Sequence, residues 1–254
     1  MTGAPPAGAD DTKRINVWSS PRNVSTAIMY SFRQRPDTTV VDEPLYAYYL
    51  ATTGRDHPGR EDVLADQSAE IGKVIDEVIL AAYPTPVVFF KQMAKHLVGI
   101  DPAVTADVFF TRCDNVILTR DPFDMLTSFQ VRIPNATVEE TGFVELLAIL
   151  DHILASGGQP IVLDSKMLLQ NPESVLRQLC ERLDLEFAEA MMSWPAGPKP
   201  EDGVWARYWY DTVHRSTGWA PWKPKNATLL PHLQSVLDEI EPMYERLLPY
   251  CISG

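Results

Sequence analysis

Short apolar runs alternate along this chain with segments of helical period. Each run has four or five residues and is rich in β-branched or aromatic side chains, which is typical of buried strands. The five runs are Arg14–Trp18, Thr38–Val41, Pro86–Phe90, Asn115–Thr119 and Pro160–Leu163. Strands that alternate with helices form parallel sheets with helices on both faces. The pattern predicts a three-layer α/β fold with a central, mostly parallel sheet of about five strands.

The segments between the runs carry the helical pattern. Val24, Ile28 and Phe32 share one helical face directly after the first run. Further helices are predicted over Glu61–Ala82, Val138–Ala155, Glu173–Leu183 and Leu233–Leu248. The stretch Trp194–Lys225 has five of the six tryptophans, many prolines and little periodicity, so we predict an ordered loop there. With 254 residues, the chain is expected to form a flexible tail over residues 1–13 and one domain over residues 14–254.

Charge and cysteine content narrow the classes of partner. A formal net charge of -12 argues against DNA, RNA and sulfated polysaccharides, which bind through broad basic surfaces. Cys113, Cys180 and Cys251 are odd in number and lack a CxxC pair, so neither a disulfide framework nor a zinc site is indicated. Without a signal-peptide pattern or an apolar run of ~18 residues, we expect no membrane partner and a cytoplasmic location. The oligomeric state stays open, a homodimer included.

A small anion can still bind where donors are concentrated, and one such place follows the first strand. In Ser19–Thr26, backbone N–H groups and the hydroxyls of Ser25 and Thr26 can face an anion at a helix start. Arg22 adds a guanidinium suited to phosphate or sulfate oxygens. Ordinary helix capping is the alternative interpretation. The ATP-binding pattern GxxxxGK[ST] is absent, since the segment has no Gly.

A second candidate follows the fourth strand. Asp121 and Pro122 form a helix start signal, with Arg120 before it and Ser128 within the helix. Ser128 would lie on the order of 10 Å along that helix. Spacing alone therefore leaves open whether Arg120 and Ser128 hold one ligand or whether Arg120 simply pairs with an acid.

Both segments resemble nucleotide-binding segments of the sulfotransferase family. The family's 5′-phosphosulfate loop has Pro, a basic residue, Ser-Gly and two hydroxyl residues. The corresponding positions here are, in order, Pro21, Arg22, Asn23, Val24, Ser25 and Thr26. Asn23 replaces the Ser and Val24 replaces the Gly, which affects how closely the backbone approaches a ligand. Arg120 and Ser128 are similar to the Arg and Ser that hold the 3′-phosphate eight positions apart.

A looser likeness lies near the end of the chain. Residues 214–223 are similar to the family's C-terminal loop, which covers the 3′-phosphate. The likeness assigns that role to Arg215, Ser216, Thr217 and Gly218. Packing of a Trp-rich loop is the alternative. The closest likeness is to bacterial sulfotransferase-like proteins that carry SPRNVST and DEPLY segments.

The resemblance implies a sulfotransferase-type, P-loop NTPase-like fold. It also implies 3′-phosphoadenosine 5′-phosphosulfate (PAPS) as donor, 3′-phosphoadenosine 5′-phosphate (PAP) as product and a hydroxyl or amine of a small molecule as acceptor. The chemistry needs no metal, and we expect none.

Sulfuryl transfer needs a group that accepts the acceptor's proton. Glu43 follows the second strand, and its Glu-Pro-Leu segment is similar to that of family branches that use a Glu base. The cytosolic branch uses a His in a Lys-Thr-His segment, where this chain has Lys91-Gln92-Met93. We therefore expect Glu43 as base, Lys91 beside the bridging oxygen and His96 as the alternative base. Asp42 and Lys95 can equally be solvated charges, and we assign them no role.

Two other functions remain open from the sequence. An ATP-dependent P-loop kinase of a small metabolite shares the fold and would need a carboxylate that binds Mg²⁺ near the Ser19–Thr26 segment. A non-catalytic nucleotide-binding module is suggested by the altered Asn23-Val24 pair and the missing His.

Overall fold

The computed structural model describes residues 12–224 and 226–253. Its five strands are β1 (Lys13–Ser19), β2 (Thr38–Asp42), β3 (Val87–Met93), β4 (Asp114–Thr119) and β5 (Ile161–Asp164). They form one sheet in the order β2-β3-β1-β4-β5, and every pairing is parallel. The predicted tail lies mostly outside the described residues, and Lys13 already belongs to β1. The fold class predicted from the alternating pattern is confirmed.

Helices connect the strands and follow the last one. The α-helices of the first half are α1 (Ser25–Arg33), α2 (Tyr46–Thr53), α3 (Arg60–Asp66), α4 (Ile71–Val74), α5 (Pro102–Val104) and α6 (Pro122–Phe129). Those of the second half are α7 (Val138–Thr141), α8 (Phe143–Ala155), α9 (Ser165–Gln170), α10 (Pro172–Arg182), α11 (Ala206–Trp209), α12 (Asp211–His214) and α13 (Gln234–Leu247). Wider π-type turns, Ile75–Ile79 and Thr105–Phe110, continue α4 and α5. The 3₁₀ turns are Ala94–Leu97, Glu189–Met192, Pro231–Leu233 and Leu248–Tyr250.

The sheet is covered on both faces, which gives three layers. Ile15 and Val17 of β1 belong to a buried cluster that includes Ile28 of α1 and residues of α10. Trp18 points to the other face, where its cluster includes Leu150 of α8 and residues of α13. By the same alternation, Trp18 shares its face of β1 with the buried polar side chains of Arg14 and Asn16. In the described ranges, no helix combines the length and apolarity that a membrane crossing requires.

The strand order creates a crevice beyond the centre of the sheet. β1 pairs with β3 on one side and with β4 on the other, and Ser19 at its end is in register with Met93 and Leu118. The chain first winds from β1 toward β2 and β3, then crosses to β4 on the opposite side. Ligands of open α/β sheets bind at such a switch point, beyond the carboxyl ends of the strands.

The predicted helix Glu61–Ala82 is wrong because the chain leaves helical geometry after Asp66. Gln67 is extended, and a new helix begins only at Ile71. The Gln67 side chain accepts a hydrogen bond from the Ala47 amide over 3.2 Å and donates to the Glu43 carbonyl over 3.2 Å. These tertiary bonds hold Gln67 against the end of β2, so they override the local helical pattern.

The predicted helix Val138–Ala155 is interrupted at Gly142, which has φ 73° and separates α7 from α8. A Cβ at this position would lie 3.2 Å from the backbone nitrogen of Lys95. Glycine therefore supplies both the left-handed conformation and the close approach. The helices predicted at Glu173–Leu183 and Leu233–Leu248 are confirmed to within one residue at each end.

The Trp-rich segment is an ordered loop that contains two short helices, α11 and α12, over its described residues 194–224. Its buried side chains Trp205 and Tyr210 form a cluster with Tyr46 and Tyr49 of α2. The loop thereby closes over the carboxyl edge of the sheet beside Glu43.

Candidate active site

A cavity of about 520 Å³ opens at the carboxyl edge of the sheet. Its wall is formed by the turn from β1 into α1, by the ends of β3 and β4, and by the Trp-rich loop. Cavities of this size are typical of small-ligand sites. The segments that the sequence singled out therefore meet around one space.

The start of α1 presents unused donors to this cavity. The first intrahelical bond runs from the Ile28 amide to the Val24 carbonyl, and Val24 offers no side-chain cap. The amides of Ser25, Thr26 and Ala27 consequently have no acceptor among the described residues, nor do the hydroxyls of Ser25 and Thr26. Ordinary capping does not account for this turn, because nothing caps it. Such a helix start is suited to binding an anion.

Asn23 stabilises the turn from β1 into α1 (Pro21–Thr26), which we call the cradle. Its side-chain amide donates to the Leu118 carbonyl at 3.1 Å, and its oxygen accepts from the Val24 amide at 2.9 Å. The first bond fastens the turn to β4, and the second stands in for a backbone contact within the turn. Asn23, which replaces the Ser of the family's loop, therefore stabilises this turn through its own side-chain hydrogen bonds.

Arg22 joins the two predicted phosphate segments. Its Nε donates to Ser128 Oγ over 3.2 Å, and its backbone carbonyl accepts from Arg120 Nη1 over 2.6 Å. Its φ is 56°, a conformation that is costly for a residue with a Cβ. Burial lowers the pKa of the Arg22 guanidinium, and the neighbouring charges of Arg132 and Arg120 lower it further.

Arg120, like Arg22, is a partly buried cation with charged neighbours. Burial lowers its pKa, whereas the Asp124 carboxylate, 3.8 Å away, raises it. Two partly buried guanidinium groups lie at this end of the cavity, and the carboxylates of Asp124, Asp121 and Asp164 act on Arg120. An anionic ligand would form charge-assisted hydrogen bonds with both guanidinium groups. The Arg22 guanidinium is directed toward Ser128.

The structure brings only part of the C-terminal loop to the cavity. Ser216 and Gly218 form part of the wall, whereas Arg215 and Thr217 are exposed outside it. Ser216 Oγ is engaged in the protein, since it accepts from Trp194 Nε1 over 3.0 Å. The ligand role predicted for Arg215 and Thr217 therefore has no geometric support in this conformation.

A buried charge network lies at the opposite end of the cavity. Lys91 Nζ donates to Asp42 Oδ1 over 2.9 Å, to the Tyr210 hydroxyl over 2.6 Å and to Glu43 Oε1. Tyr210 in turn donates to Asp42, and its oxygen also accepts from Trp205 Nε1. All three protons of the Lys91 ammonium are thus used. Lys91 lies within β3 rather than after it, and it orients Glu43.

Glu43 has one oxygen held and one oxygen free. Lys91 binds Oε1, and no described residue donates to Oε2. Burial raises the pKa of this carboxyl group, while the Lys91 charge lowers it. The pKa of Glu43 is raised overall, because Lys91 shares its charge with Asp42 and the Asp42 charge also raises it. Glu43 also has φ 39°, so its backbone is held in an unfavourable conformation by its surroundings.

His96 is fully buried at the cavity wall. Its ring stacks between Tyr46 and Tyr49, with centroids 4.9 and 4.7 Å away. Neither ring nitrogen has a hydrogen-bond partner among the described residues. Burial lowers its pKa well below the ordinary value, so the imidazole is neutral near pH 7.

Several residues in or beside the cavity wall were missed or dismissed at the level of sequence. Asp42 and Lys95 are buried instead of solvated. Tyr210 and His57 were not considered as site residues from the sequence. The nearest sequence signal for this part of the site was the position of β2 and β3, whose carboxyl ends lead into it. Across the described ranges, no group of three or more His, Cys, Asp and Glu side chains is arranged to hold a metal ion.

Comparison with known proteins points to one family. A family model described as a sulfotransferase domain matches residues 13–246. The Arabidopsis thaliana protein named branched-chain-amino-acid aminotransferase-like protein 1 is 39% identical over 234 residues, which is 92% of this chain and 41% of the plant protein. A second plant protein of the same kind is 37% identical. The chain thus spans about two fifths of the length of these curated relatives.

Solved structures agree at the level of the fold. A sulfotransferase domain from the olefin synthase of Synechococcus superposes with a TM-score of 0.53 at 16% identity, covering 92% of this chain and 96% of that domain. A sulfotransferase from Alicyclobacillus acidocaldarius superposes with a TM-score of 0.52 at 13% identity, covering 93% of this chain and 94% of that one.

Proposed function

This chain belongs to the sulfotransferase family, and we propose that it transfers the sulfuryl group of PAPS to a hydroxyl or amine of a small molecule. The observation that carries the proposal is the contact of Arg22 with both Arg120 and Ser128. It joins the uncapped start of α1 to the end of β4, in the same cavity as Glu43. An elongated anion with charge at two positions fits such a site.

The donor's charged groups are assigned to the cationic end of the cavity. Pro21–Thr26 would surround the 5′-phosphosulfate with the amides and hydroxyls of the first turn of α1. Arg120 and Ser128 would hold the 3′-phosphate, with the Arg22 guanidinium between the two anionic groups. Ser216 and Gly218 would lie against the nucleotide as part of the wall.

Glu43 is assigned the role of base. In the transfer, the acceptor oxygen forms a bond to sulfur while the bond from sulfur to the bridging phosphate oxygen breaks, and its electron pair leaves with PAP. The acceptor's proton passes to Glu43 Oε2, the oxygen without a partner. For Lys91 to help the bridging oxygen, it would first have to release one of its three bonds. Its primary role is therefore to hold Glu43.

Binding and turnover test this proposal separately. Calorimetry and thermal melting should show tighter binding of PAP than of Mg-ATP, and the reverse order would favour the ATP-dependent kinase. Incubation with PAPS and a pool of small metabolites should then yield PAP and a sulfated product. Binding of PAP without any product would favour the non-catalytic nucleotide-binding module. No heat with PAP at millimolar concentration would reject the nucleotide site itself.

A further inference from the structure

Lys95 has a charge that the protein itself does not pair. Its side chain lies at the cavity wall with 4% exposure, yet it forms no hydrogen bond or ion pair with any described residue. Its ammonium lies 5.2 Å from the Tyr49 ring centroid and 5.5 Å from that of Phe129. Two aromatic faces stabilise a cation only modestly compared with the cost of removing it from water.

The nearby acids do not remove this imbalance. Burial lowers the pKa of Lys95 to about 8, although Glu140, Glu43 and Glu145 act to raise it. Glu140 is already committed, since it accepts from the Thr137 amide at 3.0 Å. Glu43 is bound to Lys91. Glu145 acts on Lys95 only from beyond ion-pair distance, and burial raises its own pKa. A buried ionisable group with a strongly shifted pKa in a cavity is typical of a functional site.

His96 supplies a second unused group at the same wall. It follows Lys95 in the 3₁₀ turn after β3, and both of its buried ring nitrogens lack a partner. As a neutral imidazole it can donate one hydrogen bond and accept another. Buried polar atoms are nearly always satisfied in folded proteins, so an unsatisfied pair beside an unpaired cation indicates a missing ligand group.

We propose that the acceptor is a hydroxylated or aminated carboxylic acid whose carboxylate binds between Lys95 and His96. A single ammonium matches a monoanion, whereas a phosphate dianion would leave excess negative charge beside Asp42 and Glu43. The buried His96 imidazole, once its ring turns toward the cavity, would add one donor to the second carboxylate oxygen. Tyr46, Trp205 and Phe129 provide a flat, apolar wall for the body of such an acid. This assignment rests on the proposed function, and it concerns the acceptor end of the cavity alone.

The test compares three probes that differ in one group: 4-hydroxyphenylacetate, its alcohol 2-(4-hydroxyphenyl)ethanol and its amine tyramine. Each is titrated by calorimetry into the protein saturated with PAP, and PAP binding is measured first in the same cell. We expect the acid to bind at least on the order of tenfold more tightly than the alcohol or amine, since a paired buried charge contributes more than ~1.4 kcal/mol. Lys95→Met should abolish the preference, Lys95→Arg should keep part of it, and the exposed control Lys73→Met should leave it unchanged.

The outcomes separate this inference from the proposed function. If PAP binds but the acid binds no better than the alcohol or amine, or not at all at millimolar concentration, the carboxylate assignment is overturned and the nucleotide site stands. A preference for the acid that survives Lys95→Met would also overturn it. If PAP itself fails to bind to the unaltered protein, the proposed function fails instead. PAP binding by each variant shows that it has folded.

Discussion

Arg120 donates from Nη1 to the backbone carbonyl of Arg22 over 2.6 Å, although the two residues are 98 positions apart in the chain. This bond fastens the turn after β1 to the end of β4, the neighbouring strand. It also stabilises Arg22 in its positive-φ conformation, from which the guanidinium reaches Ser128. The shape of the cradle therefore depends on a residue from the other predicted phosphate segment.

Arg120→Ala should weaken PAP binding by on the order of 10- to 100-fold, because it removes a charge-assisted contact and frees the Arg22 carbonyl. Calorimetry with PAP measures the loss. Arg112→Ala is the matched control, since Arg112 is exposed and, among the described residues, pairs only with Asp107 at 3.8 Å. Equal affinities for the two variants would contradict the assignment of Arg120 to the nucleotide.

Asn23→Ala should destabilise the fold by about 1–2 kcal/mol, since it leaves the Leu118 carbonyl and the Val24 amide without their partner. Urea unfolding measures the change in free energy. Asn135→Ala, at an exposed asparagine, is the control and should have little effect. If Asn23→Ala left stability intact but reduced PAP affinity, Asn23 would be a ligand contact rather than a brace of the loop.

Glu43→Gln should reduce kcat by about 10²- to 10⁴-fold, the usual effect of losing a general base. PAP affinity should be retained, because Glu43 lies at the opposite end of the cavity from Arg120. Product formation from PAPS and calorimetry with PAP give the two quantities. Full turnover in this variant would exclude Glu43 as the base and leave His96 as the next candidate.

The pH profile provides an independent check on the base. Burial raises the pKa of Glu43 above its ordinary value of 4.5. A base must be deprotonated to act, so kcat/KM should fall as the pH drops through this raised pKa, with its midpoint above 4.5. His96→Phe should preserve that midpoint and kcat while raising KM for an acidic acceptor. A profile whose acid limb disappears in His96→Phe would instead identify His96 as the base.

Lys95→Met should stabilise the protein near pH 7 by about 1–3 kcal/mol, because the folded state bears the cost of a buried ammonium below its shifted pKa. That pKa is about 8 in the folded protein, against 10.5 for an ordinary lysine. Between these values the unfolded chain binds more protons, so wild-type stability gains with rising pH. The difference between wild type and Lys95→Met should therefore shrink from pH 8 to pH 10.5 in chemical unfolding. A constant difference, like that expected for exposed Lys73→Met, would show that Lys95 is not a buried cation.

The positions of the five strands and the outline of the site were accessible from sequence because they depend on local order. A buried parallel strand needs a short apolar run, and its carboxyl end leads directly into the following turn. Glu43 and the Ser19–Thr26 segment were predicted at the carboxyl edge for this reason, and the structure places Glu43 and Pro21–Thr26 at one cavity. The sequence alone also supported the family, through the order of segments that resemble its nucleotide-binding loops.

Contacts between distant residues were decided only in the folded structure. The Lys91 ammonium is saturated because Tyr210, 119 positions away, packs against it, and Asp42 accepts from the same hydroxyl across 168 positions. The helix predicted at Glu61–Ala82 breaks because Gln67 bonds to Glu43 and Ala47. Local sequence shows that Lys95 can carry a charge, but its burial against Tyr49 of α2 and Phe129 of α6 depends on tertiary packing. The local sequence pattern predicts on which face of a strand or helix a side chain lies. Its hydrogen-bond partners and its pKa depend on which distant segments of the chain pack against that face.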